Sequence, residues 1–215
     1  MSVLSVSCAG GRRPAVIGPV PDPARVAEAL ERETPLEEPL QINFRWRLNE
    51  DRQRHGGIGV ARVEPPYRAR LDLFTDDLES VVTAVLVDGS LVLPPGSRDD
   101  ILPPVDLMWA TLGVFRPHDA RLVDGQLLEG GATRLRYAYP DGSELHYQIQ
   151  EGALRSVELV REGRVAQWVE LTLEAGSRYP AEAKYRNLPA YRELTIVREE
   201  LAVVAPFDPE IWDPV

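Results

Sequence analysis

The chain has 215 residues, 44% of them hydrophobic, and carries a formal net charge of −10 at pH 7. This length and composition allow one large β domain or two small ones with a buried core. The acidic balance argues against a nucleic-acid partner, because phosphates require a basic surface, and it does not favour direct binding to an anionic membrane.

The N-terminal segment carries the single cysteine of the chain, Cys8, so neither an intrachain disulfide nor a cysteine-based metal site can form. The residues from Leu4 to Gly10 resemble a bacterial lipobox, in which small residues precede a cysteine that is lipidated. We therefore predict a lipoprotein N-terminus, lipidated at Cys8, and a flexible tether over residues 1–23. The alternative is an ordinary cysteine in a disordered tail. No apolar run approaches the roughly 20 residues of a membrane helix.

Two helices are predicted. Asp22 can cap, and Pro23 can begin, a helix that extends to about Glu33. Apolar residues recur at helical spacing over residues 101–112, and Gly113 is a natural C-terminal cap for this second helix. The second helix is more apolar than a surface helix, so we expect it to cover an apolar surface.

The stretch between residues 41 and 93 alternates with the period of strands. Ile42, Phe44, Trp46 and Leu48 fall on one face of the first strand, and polar residues fall on the other. The same pattern predicts further strands at 57–63, 67–73, 81–87 and 91–93.

The second half of the chain alternates in the same way. Turns that contain glycine recur about every 10 residues, which is typical of an antiparallel meander. The first of these predicted turns is Asp124-Gly125. We predict strands at 121–123, 126–128, 134–139, 144–150, 154–161, 164–173, 182–186 and 193–203, and an irregular C-terminal tail at 206–215.

These elements predict a mainly β (α+β) fold in a single domain over residues 24–205. An antiparallel sheet of about 11 strands is too large to stay flat, so it should curl into a half-barrel. Its concave face is apolar and needs a filling, and we expect the helices to cover that face. They either fill it completely or leave room for a ligand.

Catalytic motifs are absent from the sequence. It contains no nucleophile elbow, no Walker loop and no dinucleotide-binding fingerprint. His55, His118 and His146 lie far apart and lack metal-ligand spacing. We therefore predict a protein that is not an enzyme and that has neither a cofactor nor a metal.

Large apolar and aromatic side chains should point into the curl. An ordinary core explains them, and so does a pocket for an acyl chain, whose affinity would come from burying methylenes at about 0.8 kcal/mol each. The predicted lining residues are Phe44, Trp46, Leu71, Leu73, Met108, Trp109, Leu112, Tyr137, Tyr139 and Tyr147.

The order of tether, helix, meander, apolar helix and second meander resembles the LolA/LolB superfamily of lipoprotein carriers and receptors. The segment 66–74, and then 82–93 around Asp88-Gly89, is similar to the third to fifth strands of that family. The resemblance implies a helix-lidded half-barrel with a hydrophobic cavity for the acyl chains of lipoproteins or lipids. LolB is itself an outer-membrane lipoprotein, which agrees with Cys8 and implies lipid anchoring at the periplasmic face of the outer membrane.

LolB-like proteins also carry a protruding loop with an exposed leucine that pushes lipoproteins into the membrane. The corresponding loop here is 75–80, and Leu78 is the matching apolar residue, although its acidic flanks depart from the family. The alternative is that Leu78 simply begins the fourth strand.

Two hypotheses follow. The first is a lipoprotein that binds acyl chains non-covalently and acts in lipoprotein or lipid localisation, with a periplasmic carrier protein left open as a further partner. The second is a structural or assembly lipoprotein of the same fold, with a filled cavity, that acts through a protein partner.

Overall fold

The computed structural model describes residues 14–34, 36–97 and 101–213, so Cys8 and its predicted lipidation lie outside the described residues. The described chain forms one antiparallel sheet of 13 strands and two α-helices. The prediction of a mainly β fold built on one antiparallel sheet is confirmed. The predicted number of strands, about 11, is wrong.

The elements follow one another along the chain with short connections. The helices are α1 (Pro23–Glu33) and α2 (Val105–Thr111), and two 3-10 turns lie at Glu129–Gly131 and Pro209–Trp212. The strands are β1 (Val16–Pro19), β2 (Leu40–Glu50), β3 (Gln53–Glu64), β4 (Arg68–Thr75), β5 (Ser80–Val87), β6 (Ser90–Val92), β7 (Arg121–Leu128), β8 (Thr133–Ala138), β9 (Glu144–Gln150), β10 (Ala153–Arg161), β11 (Arg164–Leu173), β12 (Pro180–Asn187) and β13 (Arg192–Val203).

Two meanders are joined side by side in the sheet. Its strand order is β1-β7-β8-β9-β10-β11-β12-β13-β2-β3-β4-β5-β6. The last strand, β13, pairs with β2 from Val203 opposite Leu40 to Glu193 opposite Asn49. This long pairing fuses the first meander to the second, and β1 and β6 form the edges of the described sheet.

α1 begins and ends as its sequence predicts, whereas α2 begins only at Val105, later than its apolar pattern. The Asp22 carboxylate accepts a hydrogen bond from the backbone N–H of Arg25 at 3.0 Å, and Pro23 occupies the first turn of α1. After α2, Gly113 adopts a left-handed conformation with φ +79°. A side chain there would meet the Arg178 backbone at 2.9 Å, so the helix end packs closely on the β11–β12 loop.

The sheet curls around α2. This helix contacts β10, β11 and β12, and its Met108 shares a small cavity with Leu71 of β4 and Leu86 of β5. β4 and β10 are six strand spacings apart, about 29 Å in a flat sheet, whereas a helix with its side chains is about 10 Å across. One helix can touch both only if the sheet curves, and we call this concave face the trough.

α2 supplies most of the helix cover of the trough, which corrects the expectation that both helices cover the concave face, and α1 adds Ala27 and Leu30 to the same buried cluster. α1 contacts β7 near one edge of the sheet, with Ala27 and Leu30 buried. The different positions follow from composition. Residues 106–111 of α2 are all buried, whereas α1 buries a narrow stripe and keeps its charged residues in solvent.

Strand β1 was not predicted, and it lies within the segment assigned to the tether. Val16 and Ile17 are 52% and 66% exposed, so backbone pairing with β7 rather than burial of side chains holds this strand in place. A strand held in this way has no apolar alternation that a sequence could reveal.

The predicted turn at Asp124-Gly125 is also wrong, because both residues lie inside the single strand β7. The β7–β8 register shifts between Leu122 and Asp124. A Cβ on Gly125 would lie 2.8 Å from Pro23 and 2.9 Å from Val20. Glycine is therefore needed here for the close approach of the preceding chain rather than for a hairpin turn.

The end of the described chain packs on the convex face of the sheet. The 3-10 turn Pro209–Trp212 contacts β4, and the Ile211 carbonyl accepts a 2.8 Å hydrogen bond from Arg70. Arg70 also pairs at 3.0 Å with Asp72, which is only 4% exposed. This tail, predicted as irregular, thus contains a short ordered turn.

Candidate functional site

The predicted lining residues all contribute to one apolar cluster inside the trough. Leu112 and Tyr139 are half-buried. The buried members are Phe44, Trp46, Leu71, Leu73, Met108, Trp109, Tyr137 and Tyr147.

Aromatic rings fill the trough on the β8–β9 side of α2. The ring centroid of Phe115 lies 4.6 Å from that of Tyr147 and 6.0 Å from that of Tyr137, and all three pairs meet edge to face. Tyr147 is fully buried and its hydroxyl makes no hydrogen bond within the described residues. We call this side of the trough, formed by these three rings, the aromatic side.

Asp106 fixes α2 to the aromatic side. The Tyr139 hydroxyl donates a very short hydrogen bond to the Asp106 carboxylate, and the backbone N–H of His118 donates another at 2.8 Å. Burial raises the pKa of Asp106, because water no longer stabilises its charge, although the two hydrogen bonds act in the opposite direction. Burial and the neighbouring carboxylate raise the pKa of Tyr139.

Trp109 fixes α2 to the opposite half of the sheet. Its indole N–H donates a 2.7 Å hydrogen bond to the backbone carbonyl of Asp88, in the turn between β5 and β6. Its ring also meets that of Tyr67 edge to face at 6.0 Å. Asp106 and Trp109 thus hold both turns of α2 through side-chain hydrogen bonds, and Leu112 follows directly after the helix.

Two small cavities lie between the C-terminal end of α2 and the sheet, the larger against β12, β13 and β2–β4 and the smaller against β3–β6. One has a volume of about 30 Å³ and the other about 10 Å³, and Ala61, Leu71 and Leu112 line both. Ala69 and Ala84 also line the smaller one. Small side chains on the sheet therefore face α2 here, and we call this side of the trough the alanine side.

The trough is nearly filled in this form of the protein. Ligand pockets for small molecules usually measure about 300–1,000 Å³, and the cavity of about 30 Å³ equals roughly the volume of one water molecule. An acyl chain can therefore enter only if side chains of α2 move.

Leu78 projects from the β4–β5 loop into solvent. Its side chain is 68% exposed and its φ is +66°, a left-handed conformation that a leucine adopts at a cost of about 1 kcal/mol or more. Backbone bonds between Leu78 and Thr75 at 3.0 Å, and between Thr75 and Glu79 at 2.9 Å, fix this conformation. Asp76, in the same loop, pairs with Arg45 at 3.2 Å.

A second exposed apolar pair was not predicted. Tyr191 is 88% exposed and Leu188 is 46% exposed, both in the β12–β13 turn. β13, β2, β3 and β4 are consecutive antiparallel neighbours, so this turn and the β4–β5 loop lie at the same end of the sheet. The sequence signal was that Leu188 and Tyr191 flank a proline and an alanine in a turn. Apolar residues in such a turn are not explained by burial in a core.

The described ranges hold no group of histidine, cysteine, aspartate or glutamate side chains arranged to bind a metal ion. Within the same ranges, neither helix has the length and apolarity needed to cross a bilayer. Sequence reasoning also missed Asp106, although an acidic residue within an otherwise apolar helix is a signal for a buried hydrogen-bonding role.

No protein-family model matches the sequence, and no curated protein matches it. Solved structures do match. A LolA superfamily protein from Nitrosomonas europaea has a TM-score of 0.56 at 11% identity, over 88% of this chain and 96% of that one. A domain from Vibrio parahaemolyticus described as an outer membrane lipoprotein-sorting protein has a TM-score of 0.61 at 10% identity, over 88% and 95%.

A DUF1329 family protein from Desulfovibrio piger matches with a TM-score of 0.58 at 9% identity, over 91% of this chain and 97% of that one. At identities this low, the matches show a shared fold alone. They confirm the architecture expected from the sequence: the chain has the LolA/LolB-like fold.

Proposed function

We propose that the protein binds acyl chains of lipoproteins or lipids non-covalently in the trough, as a binding protein rather than an enzyme. One observation carries this proposal: the two cavities adjoin the end of α2 at Leu112 and are lined mainly by apolar side chains. The fold shared with a lipoprotein-sorting domain supports the same function.

Binding requires a limited movement of side chains at the end of α2. Leu112 lines both cavities and Met108 lines the smaller one, so hydrocarbon enters where these side chains withdraw. Asp106 and Trp109 keep the helix backbone in place, so the side chains of Met108 and Leu112 move by changing rotamer. The chain then replaces side-chain contacts with its own methylenes, at about 0.8 kcal/mol each.

We further propose attachment to the periplasmic face of the outer membrane through a lipid on Cys8, with Leu78 contacting the bilayer during transfer. The lipobox-like segment supports the anchor, and the exposure and left-handed conformation of Leu78 support the contact. Expression with a complete signal sequence tests the anchor: the Cys8→Ser protein should become soluble in the periplasm, and continued membrane association would reject it.

Leu112→Ala tests acyl-chain binding, because it joins the two cavities into one. We expect this variant to bind a fluorescent fatty acid more tightly than the wild-type protein, as measured by titration. Leu188→Ala is the matched control, because it removes the same atoms from an exposed turn and should leave the affinity unchanged. Equal affinities for all three proteins would place the probe outside the trough.

A second candidate function is assembly through a protein partner, and the filled trough favours it. In that case α2 is a permanent core element, and neither the wild-type protein nor Leu112→Ala should bind the fatty acid. Native mass spectrometry after mild purification separates the two functions, since the first predicts co-purified lipid and the second predicts protein without lipid.

A further inference from the structure

An arginine faces the apolar trough from β13. Along this strand the side chains that point inward alternate, with Leu194 buried and Ile196 next to it on the same face. Arg198 continues the alternation and lines the larger cavity together with Ile196. Its side chain is only 13% exposed. Arg198 is the one charged residue among the described residues that line this cavity.

The guanidinium of Arg198 is held beside the β11–β12 loop. Its Nη1 donates to the Tyr179 carbonyl at 3.0 Å and to the Ser177 hydroxyl at 3.4 Å, and its Nη2 pairs with Glu174 at 2.6 Å. A guanidinium carries five N–H donors, which is more than these three contacts use. The guanidinium therefore retains a donor beyond those used for holding the loop.

The counter-ion of Arg198 is exposed to solvent. The side chain of Glu174 is 66% exposed, whereas Arg198 is nearly enclosed. An ion pair with one carboxylate in water contributes little, because water screens it. A second anion arriving from the cavity side can thus replace Glu174 at small cost, and a planar guanidinium binds a carboxylate or phosphate with two parallel hydrogen bonds.

The remainder of the cavity suits hydrocarbon. Ile42, Phe44 and Ala183 line it beside Arg198, and Leu112 separates it from the smaller cavity toward β5. A cavity with a charged side chain at one end and apolar side chains beyond it suits an amphiphile.

We propose that Arg198 binds the anionic headgroup, carboxylate or phosphate, of an amphiphile whose acyl chain extends past Leu112 into the alanine side. This inference rests on the proposed acyl-chain function and adds the class of headgroup. It makes the ligand an acidic lipid rather than any hydrocarbon.

Paired probes test it. At about pH 8, binding of cis-parinaric acid and of its uncharged methyl ester is measured by fluorescence titration of the full chain. Lysophosphatidic acid and monoacylglycerol, as competitors, then distinguish a phosphate from a carboxylate headgroup. We expect each anion to bind at least about tenfold more tightly than its neutral partner. The anion that binds more tightly then identifies the headgroup as a carboxylate or a phosphate.

Arg198→Gln should abolish this preference while leaving the affinity for the methyl ester unchanged. Glu174→Gln, at an exposed position, should increase the affinity for the acid several-fold without affecting the ester. Arg45→Gln is the matched control, because Arg45 also pairs with a glutamate, Glu199 at 3.1 Å, but on the convex face.

Equal affinity of the wild-type protein for acid and ester overturns the headgroup inference and leaves the acyl-chain function standing. An equal loss of both probes in Arg198→Gln also overturns it, since it assigns Arg198 a purely structural role in holding the β11–β12 loop. If the wild-type protein binds neither probe, the acyl-chain function fails, and the headgroup site fails with it.

Discussion

The two sides of the trough are packed differently around the same helix. On the aromatic side, three rings and the buried Asp106 carboxylate hold α2 with specific contacts. On the alanine side, Ala61, Ala69 and Ala84 leave two cavities beside Leu112. Large rings on one side and single methyl groups on the other give the helix one tightly packed edge and one edge with unfilled space.

The difference shows how a nearly solid core can still accept a ligand. A cavity costs stability in proportion to its volume, so a large empty cavity would be expensive in the absence of a ligand. With the helix anchored at Asp106 and Trp109, the side chains of Met108 and Leu112 keep the trough closed until hydrocarbon replaces them.

The largest expected effect is the difference in the free energy of unfolding between the Phe115→Ala and Leu112→Ala variants. Removing the fully buried Phe115 from the aromatic side should lower the free energy of unfolding by about 3–5 kcal/mol. Removing the half-buried Leu112 side chain should cost less, about 1–2 kcal/mol. Urea unfolding measures both. Equal losses would show that the two sides are equally well packed.

The second prediction concerns how the length of a fatty acid affects its affinity. If methylenes fill the alanine side, a saturated acid of 14 carbons should bind more tightly than one of 10 carbons by about 3 kcal/mol, a factor on the order of 100 in Kd. Displacement of a fluorescent fatty acid measures the two constants. Affinities that do not depend on length would contradict burial of the chain, and the Phe115→Ala protein should retain the same dependence as long as it is folded.

The third prediction concerns pH and the anchor on the aromatic side. Because burial raises the pKa of Asp106 above its ordinary value of 3.8, the protonated form favours the folded state. Its contribution to stability is therefore complete below the unfolded pKa and declines as the pH rises through the raised folded pKa. Asp106→Asn should flatten the loss of unfolding free energy over that range, as measured by urea unfolding at several pH values.

A control for this prediction is Asp141→Asn, because Asp141 lies at the surface and hydrogen bonds from Ser143 lower its pKa. That change should leave the decline with rising pH in place. An unaltered slope in Asp106→Asn would show that the Asp106 carboxylate does not control the docking of α2.

The smallest expected effect is at Leu78, far from the packing contrast. Leu78→Gly should raise the free energy of unfolding by about 1 kcal/mol, because glycine adopts a positive φ without strain. Leu78→Asn, which also tolerates this conformation, should remove the apolar contact in the same way. Both variants should bind liposomes more weakly than the wild-type protein in flotation assays. Unchanged flotation would remove Leu78 from the membrane contact.

Sequence alone predicted the parts of the fold that depend on periodicity and local chemistry. The alternation of Ile42, Phe44 and Trp46 located β2, and Asp22-Pro23 located the start of α1. It missed β1, which backbone pairing holds, and it placed a turn at Asp124-Gly125, where glycine serves a close approach.

The site was less predictable than the fold. Periodicity showed that Phe44, Leu71 and Met108 face inward, but the size of the space between them depends on distances across the whole sheet. The inward position of Arg198 follows from its register with Leu194 and Ile196. Its partners, Glu174 and Tyr179, come from another strand pair, and no local pattern reveals them.

Methyl NMR of the protein with a bound isotope-labelled fatty acid can locate the acyl chain directly. If the chain lies in the trough, we expect intermolecular contacts from it to the methyl groups of Ala61, Ala69 and Ala84, with the methyl signals of Leu112 shifted on binding. Contacts confined to the exposed surface, or none in the trough at saturating fatty acid, would contradict that placement.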